Sequence, residues 1–341
     1  MADHLAFGFM IFPRSVEQTR RVARRAEQLG FSWIGLADSP TVYQESYLHQ
    51  LEALRATTRI NVGPVVTHLT LRHPLIVGNL LATLNEIGGG RTIGALGTGN
   101  SGARGVGIRP ARVNEIVEAI EAIRGYWSGV GGVFGESRIP ASGIVRRGCP
   151  LIVAADGQGA ARLAGARADG LLYGGTMEPA VLDRRVTAGR MRPDQQVWIG
   201  PAVSFGRTVG EVLDEMGALI VAMANRAFRG DLRERGIPQS LHADVRKMWE
   251  KYDYAFHADT TRPRNLEAVS PALAEYLVEH FVIWGDTPRW QDRLVFLRAH
   301  GCDGVMFILG HGNADEVVEQ IAARLTELGY LPDSKPATRQ T

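Results

Sequence analysis

A chain of 341 residues with 45% hydrophobic and 22% charged side chains has ample apolar material for one large core, and its net charge is only +2. Arg far outnumbers Lys, but the basic residues are scattered and no aromatic-flanked basic patch occurs, which argues against nucleic acid as a partner. Cys149 and Cys302 have neither a CxxC pairing nor a histidine cluster beside them, which argues against a disulfide framework or a thiolate zinc site and fits a reducing cytoplasm.

The N-terminus has an apolar run but no basic region before it and no small-residue cleavage site, so it reads as a first strand rather than a signal peptide. No uncharged apolar stretch reaches the ~20 residues a membrane helix needs, so no membrane association is expected. Residues 5–12 (LAFGFMIF) form a buried strand. Ser15, with Gln18 three residues on, predicts a capping box at the start of a helix that Gly30 ends. A second strand at 32–38 is followed by a helix around Tyr47, Leu48, Leu51 and Leu54. The third strand, 60–66, leads to a helix at 74–87 with Pro74 in its first turn, where a missing N–H costs nothing. The fourth strand is 92–99 and its helix 113–127. Further strands are expected at 150–156, 170–175, 196–205 and 304–310, with helices near 158–168, 178–190, 208–228, 287–299 and 313–328.

Eight apolar strands alternating with helices predict a parallel (β/α)8 TIM barrel, with an open doubly wound sheet as the alternative. The chain exceeds the ~250 residues usual for such barrels, and insertions commonly supply the difference. Residues 229–269 break the rhythm with a polar, Arg- and Asp-rich stretch. It reads as an insertion over the barrel mouth within one domain spanning 1–331, and the tail 332–341 reads as disordered.

A barrel of this kind carries its function at the C-terminal ends of its strands. Those ends hold Asp38 and Ser39; Val65, Val66, Thr67 and His68; Gly97, Thr98, Gly99 and Asn100; Asp156, Gly157, Gln158 and Gly159; Gly175 and Thr176; and His311. GTGNSG (97–102) is a weak anion signal, since a plain turn explains it equally well. DGQG (156–159) runs directly into a helix, whose N-terminus exposes unpaired N–H groups, and GGT (174–176) repeats the arrangement one unit later. Two neighbouring glycine-rich loops make a better phosphate signal than either alone. Gly63-Pro64 inside the third strand predicts a bulge that pushes backbone into the mouth. Asp38, His68, Asp156 and His311 are spread over four strand ends without an HxH pair, which argues against a metal-dependent hydrolase.

GPVVTHLTLRHP (63–74), LATLNEIGGGR (81–91), IGALGTG (93–99), AADGQG (154–159) and WGDTP (284–288), in this order, resemble the bacterial-luciferase-like flavin- and F420-dependent oxidoreductases, notably the methylenetetrahydromethanopterin reductase branch. The similarity spans roughly residues 5 to 330. The resemblance implies a non-prolyl cis peptide at Val65–Val66 behind a tricyclic ring. It implies Thr67, Gly97, Thr98, Gly99 and Asn100 along the cofactor, and Gly157, Gln158, Gly159, Gly175 and Thr176 at its phosphate. Asp38 would lie near the reactive face with Tyr43 closing over ring or substrate, and His68, Asp38 or His311 would replace the acids usual in relatives. Ser39 stands where deazaflavin-using relatives often have His, and Asn100 where some F420-dependent sugar dehydrogenases have a carboxylate.

The cofactor implied is F420 or FMN, and the reaction is hydride transfer to or from a small organic substrate. Two alternatives stay open. One is an FMN-dependent monooxygenase fed by a separate reductase, and the other is a non-catalytic flavin-binding protein. Relatives are commonly homodimers or higher homo-oligomers, and the apolar helices 74–87 and 113–127 could supply an interface.

Overall fold

The computed structural model describes residues 5–257, 259, 262–310 and 312–332, and the backbone alone of Asn100 and Ser101. In chain order its first half reads β1 (Ala6–Ile11), α1 (Val16–Leu29), β2 (Trp33–Leu36), α2 (Ser46–Ala56), β3 (Asn61–Pro64), β4 (Thr67–His68), α3 (Pro74–Ile87), β5 (Gly94–Gly97), α4 (Asn100–Arg104) and α5 (Val113–Trp127). An antiparallel hairpin follows, β6 (Gly132–Phe134) and β7 (Ser137–Ile139). The second half continues with β8 (Leu151–Ala154), α6 (Gln158–Arg167), β9 (Gly170–Tyr173), α7 (Pro179–Gly189), β10 (Gln196–Ile199), β11 (Ala202–Val203) and α8 (Val209–Ala227). It ends with α9 (His242–Lys251), α10 (Pro271–Phe281), β12 (Val282–Ile283), α11 (Thr287–Ala299), β13 (Gly304–Ile308) and α12 (Ala314–Glu327).

The alternation closes into a barrel rather than an open sheet. β1 pairs in parallel with β2 on one side and β13 on the other. The third position in the ring is split. β3 pairs with β2, while β4, just beyond a bulge, pairs with β5. β8, β9 and β10 carry the ring round to β13. The expected eight positions are therefore present in the expected order.

The interior is filled by Trp33, Val65, Ala95, Ile152, Leu172, Trp198 and Met306, all buried. Trp33 and Trp198 meet edge to face at 5.1 Å. This plug seals the lower barrel, so a ligand can enter only from the C-terminal ends of the strands. Burying each such side chain is worth about 1.5–3 kcal/mol, which makes the plug a major part of the core. Among the described residues no helix is long and apolar enough to cross a membrane.

Three local expectations change. Ser15 does cap α1, accepting from the Gln18 backbone N–H at 3.3 Å, but the Gln18 side chain donates to Asp315 of α12 instead of completing the box. Two residues at the end of α10 form β12 and pair with β11, a strand too short to leave a periodic signal. The stretch 229–269 is less polar in effect than its composition suggests. Leu232, Ile237, Leu241, Val245 and Met248 are buried in a cluster with α8 and α10, and their irregular spacing among Arg and Asp hides this. His311 and residues 333–341 of the expected tail lie outside the described residues.

Candidate active site

A cavity of about 480 Å³ opens at the C-terminal ends of the strands, directly above the interior plug. On one wall the third strand breaks at the Val65–Val66 peptide, which is cis as the resemblance implied. Both valines line the cavity, and glycines on the flanking strands make room for them. A Cβ on Gly35 would lie 2.5 Å from Val65 Cγ2, and one on Gly97 would lie 2.6 Å from Val66 Cγ2. Any larger residue at either position would push the bulge out of place. Another wall comes from α8. Leu219, Ala222, Met223 and Arg226 recur at i, i+3, i+4 and i+7, so one helical face lies along the cavity. From 229–269, Arg235 and His257 also line it.

At the β2–β4 side, Asp38 is buried and saturated. Its carboxylate accepts from Thr67 Oγ1 at 2.7 Å and from Arg72 Nε and Nη2 at 3.2 and 3.1 Å. Arg72 also donates to both Glu45 oxygens at 2.9 and 2.8 Å and lies over the Tyr47 ring, whose hydroxyl donates to Thr67. Two carboxylates and one guanidinium thus form one cluster around Asp38. His68 is different. It is only 2% exposed, its ring packs against Gly99 and Gly102, and its Nδ1 has no hydrogen-bond partner among the described residues. Burial pulls its pKa below the ordinary value, with Asp38 opposing in part. Tyr43 stacks on Phe12 at 4.9 Å, and burial pushes its phenol up to about 12.

The opposite side, at β8 and β9, is rich in cations. Gly157 caps the N-terminus of α6 and lines the cavity. Asp156 pairs with Arg226 at 2.7 Å and accepts from the Gly174 N–H at 3.2 Å. The Asp156 carbonyl receives both Arg185, at 3.0 Å, and Arg235. Arg185 is 1% exposed, and its hydrogen bonds run to the carbonyls of Asp156 and Glu234 and to the Gln158 amide oxygen. Arg235 bonds to the carbonyls of Asp156 and Arg229. Both guanidinium charges therefore stand beside a helix N-terminus without a carboxylate partner in these bonds.

The structure brings Asp38, Tyr43, Val65, Val66, His68, Gly97, Thr98, Gly99 and Gly157 to one cavity. Thr67 turns its hydroxyl to Asp38 instead. Gln158 is drawn to Arg185 and the Arg184 carbonyl, and Gly159 is exposed beyond the rim. Gly175 packs on Tyr173, and the Thr176 hydroxyl accepts from the Glu178 N–H, so this loop turns away and Gly174 lines the cavity in its place. The Asn100 side chain and His311 lie outside the description. Sequence reasoning missed Arg185, Arg226, Arg235 and the α8 stripe. The stripe's spacing was a readable signal, masked because α8 is apolar on more than one face.

The profile of the luciferase-like monooxygenase family matches residues 7–331. An F420-dependent glucose-6-phosphate dehydrogenase of Microbacterium testaceum (strain StLB037) is 29% identical over 207 residues, covering 53% of this chain and 62% of the relative. A 5,10-methylenetetrahydromethanopterin reductase of Methanopyrus kandleri is 32% identical over 97 residues, 28% of each chain. The match thus spans less than two thirds of these relatives' length. Among solved structures, the coenzyme F420-dependent tetrahydromethanopterin reductase of Methanopyrus kandleri superposes with a TM-score of 0.74 at 20% identity, covering 95% of this chain and 99% of that one. EDTA monooxygenase of Chelativorans sp. BNC1 superposes at 0.65 with 16% identity, covering 96% and 95%. At these identities the superpositions speak to fold, and the profile match speaks to kinship: the chain belongs to the luciferase-like monooxygenase family.

Proposed function

We propose that the protein is an oxidoreductase that uses F420 or FMN and moves a hydride between it and a small organic substrate. One observation carries this reading. A single cavity joins an apolar wall at Val65 and Val66, suited to a flat ring, to the Gly157 helix N-terminus with Arg235 on the same lining, suited to an anion. Val65, Val66, Gly97 and Gly99 would hold the ring, and Gly157 with Arg235 the phosphate end. When bound, such a cofactor supplies the hydride chemistry. The protein orients its face and excludes water, and His68 lines the cavity as a candidate to hold or move a proton.

The names of the F420-dependent relatives favour hydride transfer. The family description favours the second reading, an FMN-dependent monooxygenase served by a separate reductase. The open cavity argues against a non-catalytic flavin-binding role, since α8 and 229–269 wall the mouth without filling it. A homo-oligomer built on α3 belongs to the same reading, because Ile76 and Ile87 there are about half exposed, whereas α5 buries Ile116, Ile120 and Ile123 within the protomer.

The test is fluorescence titration of the purified protein with F420, FMN and FAD. Tight F420 binding without FMN binding supports hydride transfer and removes the monooxygenase. FMN binding alone does the reverse, and no binding removes both.

A further inference from the structure

We propose that the substrate is an uncharged, largely apolar molecule with one hydrogen-bonding oxygen, such as a ketone or enone, and that phosphorylated substrates are rejected. This rests on the cofactor reading above, because it assigns the cation-rich end of the cavity to the cofactor and leaves the other end to the substrate.

The ring order sets the geometry. β1 and β2 occupy the first two positions and β8 and β9 the fifth and sixth, so the two pairs face each other across the barrel. Cations gather at the β8–β9 end, where Arg185 and Arg235 bond to neutral oxygens. At the β1–β2 end the balance reverses. Asp38, Glu45 and Arg72 sum to a charge of −1. Arg14 sits 6.0 Å over the Tyr43 ring and is not among the residues that line the cavity.

The wall at this end is apolar. The stacked pair of Phe12 and Tyr43 and the rim residue Val42 lie on it, with Leu219 and Met223 of α8 facing the same space. Tyr43 brings a hydroxyl that can hold a neutral oxygen. A phosphate dianion placed here would lose its hydration, meet no guanidinium and sit in the field of a net negative cluster. A neutral ketone would lose little and gain apolar contact.

Two probes separate the cases, 2-cyclohexen-1-one and glucose 6-phosphate. Their affinities are measured by saturation-transfer NMR on the protein with its cofactor bound. The expected result is at least tenfold tighter binding of cyclohexenone. In Val42→Arg, which places a guanidinium at a rim position 58% exposed and so without cost to the core, the preference should shrink several-fold. Equal or reversed affinities, no cyclohexenone binding, or an unchanged ratio in Val42→Arg would each overturn the proposal. Failure of F420 and FMN to bind would instead strike the cofactor reading, and is seen separately from the probe ratio.

Discussion

The two ends of the cavity each present an aspartate at a strand end with an arginine on it, and there the likeness stops. Asp38 is buried in a cluster with Thr67, Arg72 and Glu45 that pairs its carboxylate with a guanidinium. Asp156 engages one arginine, Arg226, through its carboxylate, while Arg185 and Arg235 converge on its carbonyl. A strand-end carboxylate is therefore not a site by itself. What surrounds it decides whether it is scaffolding or part of a binding field.

The largest test of this contrast is Arg72→Met. It strands a buried Asp38, whose side chain is 2% exposed, and should cost about 3–5 kcal/mol of stability by chemical denaturation. The double variant Asp38→Asn/Arg72→Met should recover much of that loss, and a loss under about 1 kcal/mol for the single variant would break the picture of a paired cluster. Next in size is Arg235→Ala at the other end. Losing one charge-assisted contact should weaken F420 or FMN binding roughly tenfold to a hundredfold, with little change in melting temperature. An unchanged affinity would mean that the surplus charge at β8 and β9 serves folding alone.

The smallest effect is a pH dependence. Burial holds His49, His68 and His280 below the ordinary value of 6.5. The unfolded chain then takes up protons first as pH falls, so these groups add stability above about pH 6.5 that is lost as pH drops through their folded values. The melting temperature should fall between about pH 7 and about pH 5, and His68→Asn should flatten that fall. An identical slope in the variant would mean that His68 takes up its proton equally in the folded and unfolded chain.

Much of the fold was legible because strands and helices announce themselves locally. The eight barrel strands, the Gly30 stop of α1, the Pro74 start of α3 and the broken third strand all follow from runs, periods and turn residues only a few positions long. Of the site, the residues at strand ends were legible for the same reason, because a barrel sends every strand end to one face. Thr176 and Gln158 read like phosphate ligands, yet the nearby Glu178 N–H and the Arg185 guanidinium claimed them. Local pattern cannot show which neighbour a polar side chain will prefer.

The sequence by itself determined the barrel, its strand order and the glycines that let Val65 and Val66 form the wall, because each depends on backbone preferences acting over short spans. The tertiary structure alone decided the electrostatics. Arg185 comes from α7, Arg226 from α8 and Arg235 from the stretch beyond it, and only packing brings all three to Asp156. Charge interactions depend on distance through space rather than along the chain, so the asymmetry between the two ends had no sequence signature.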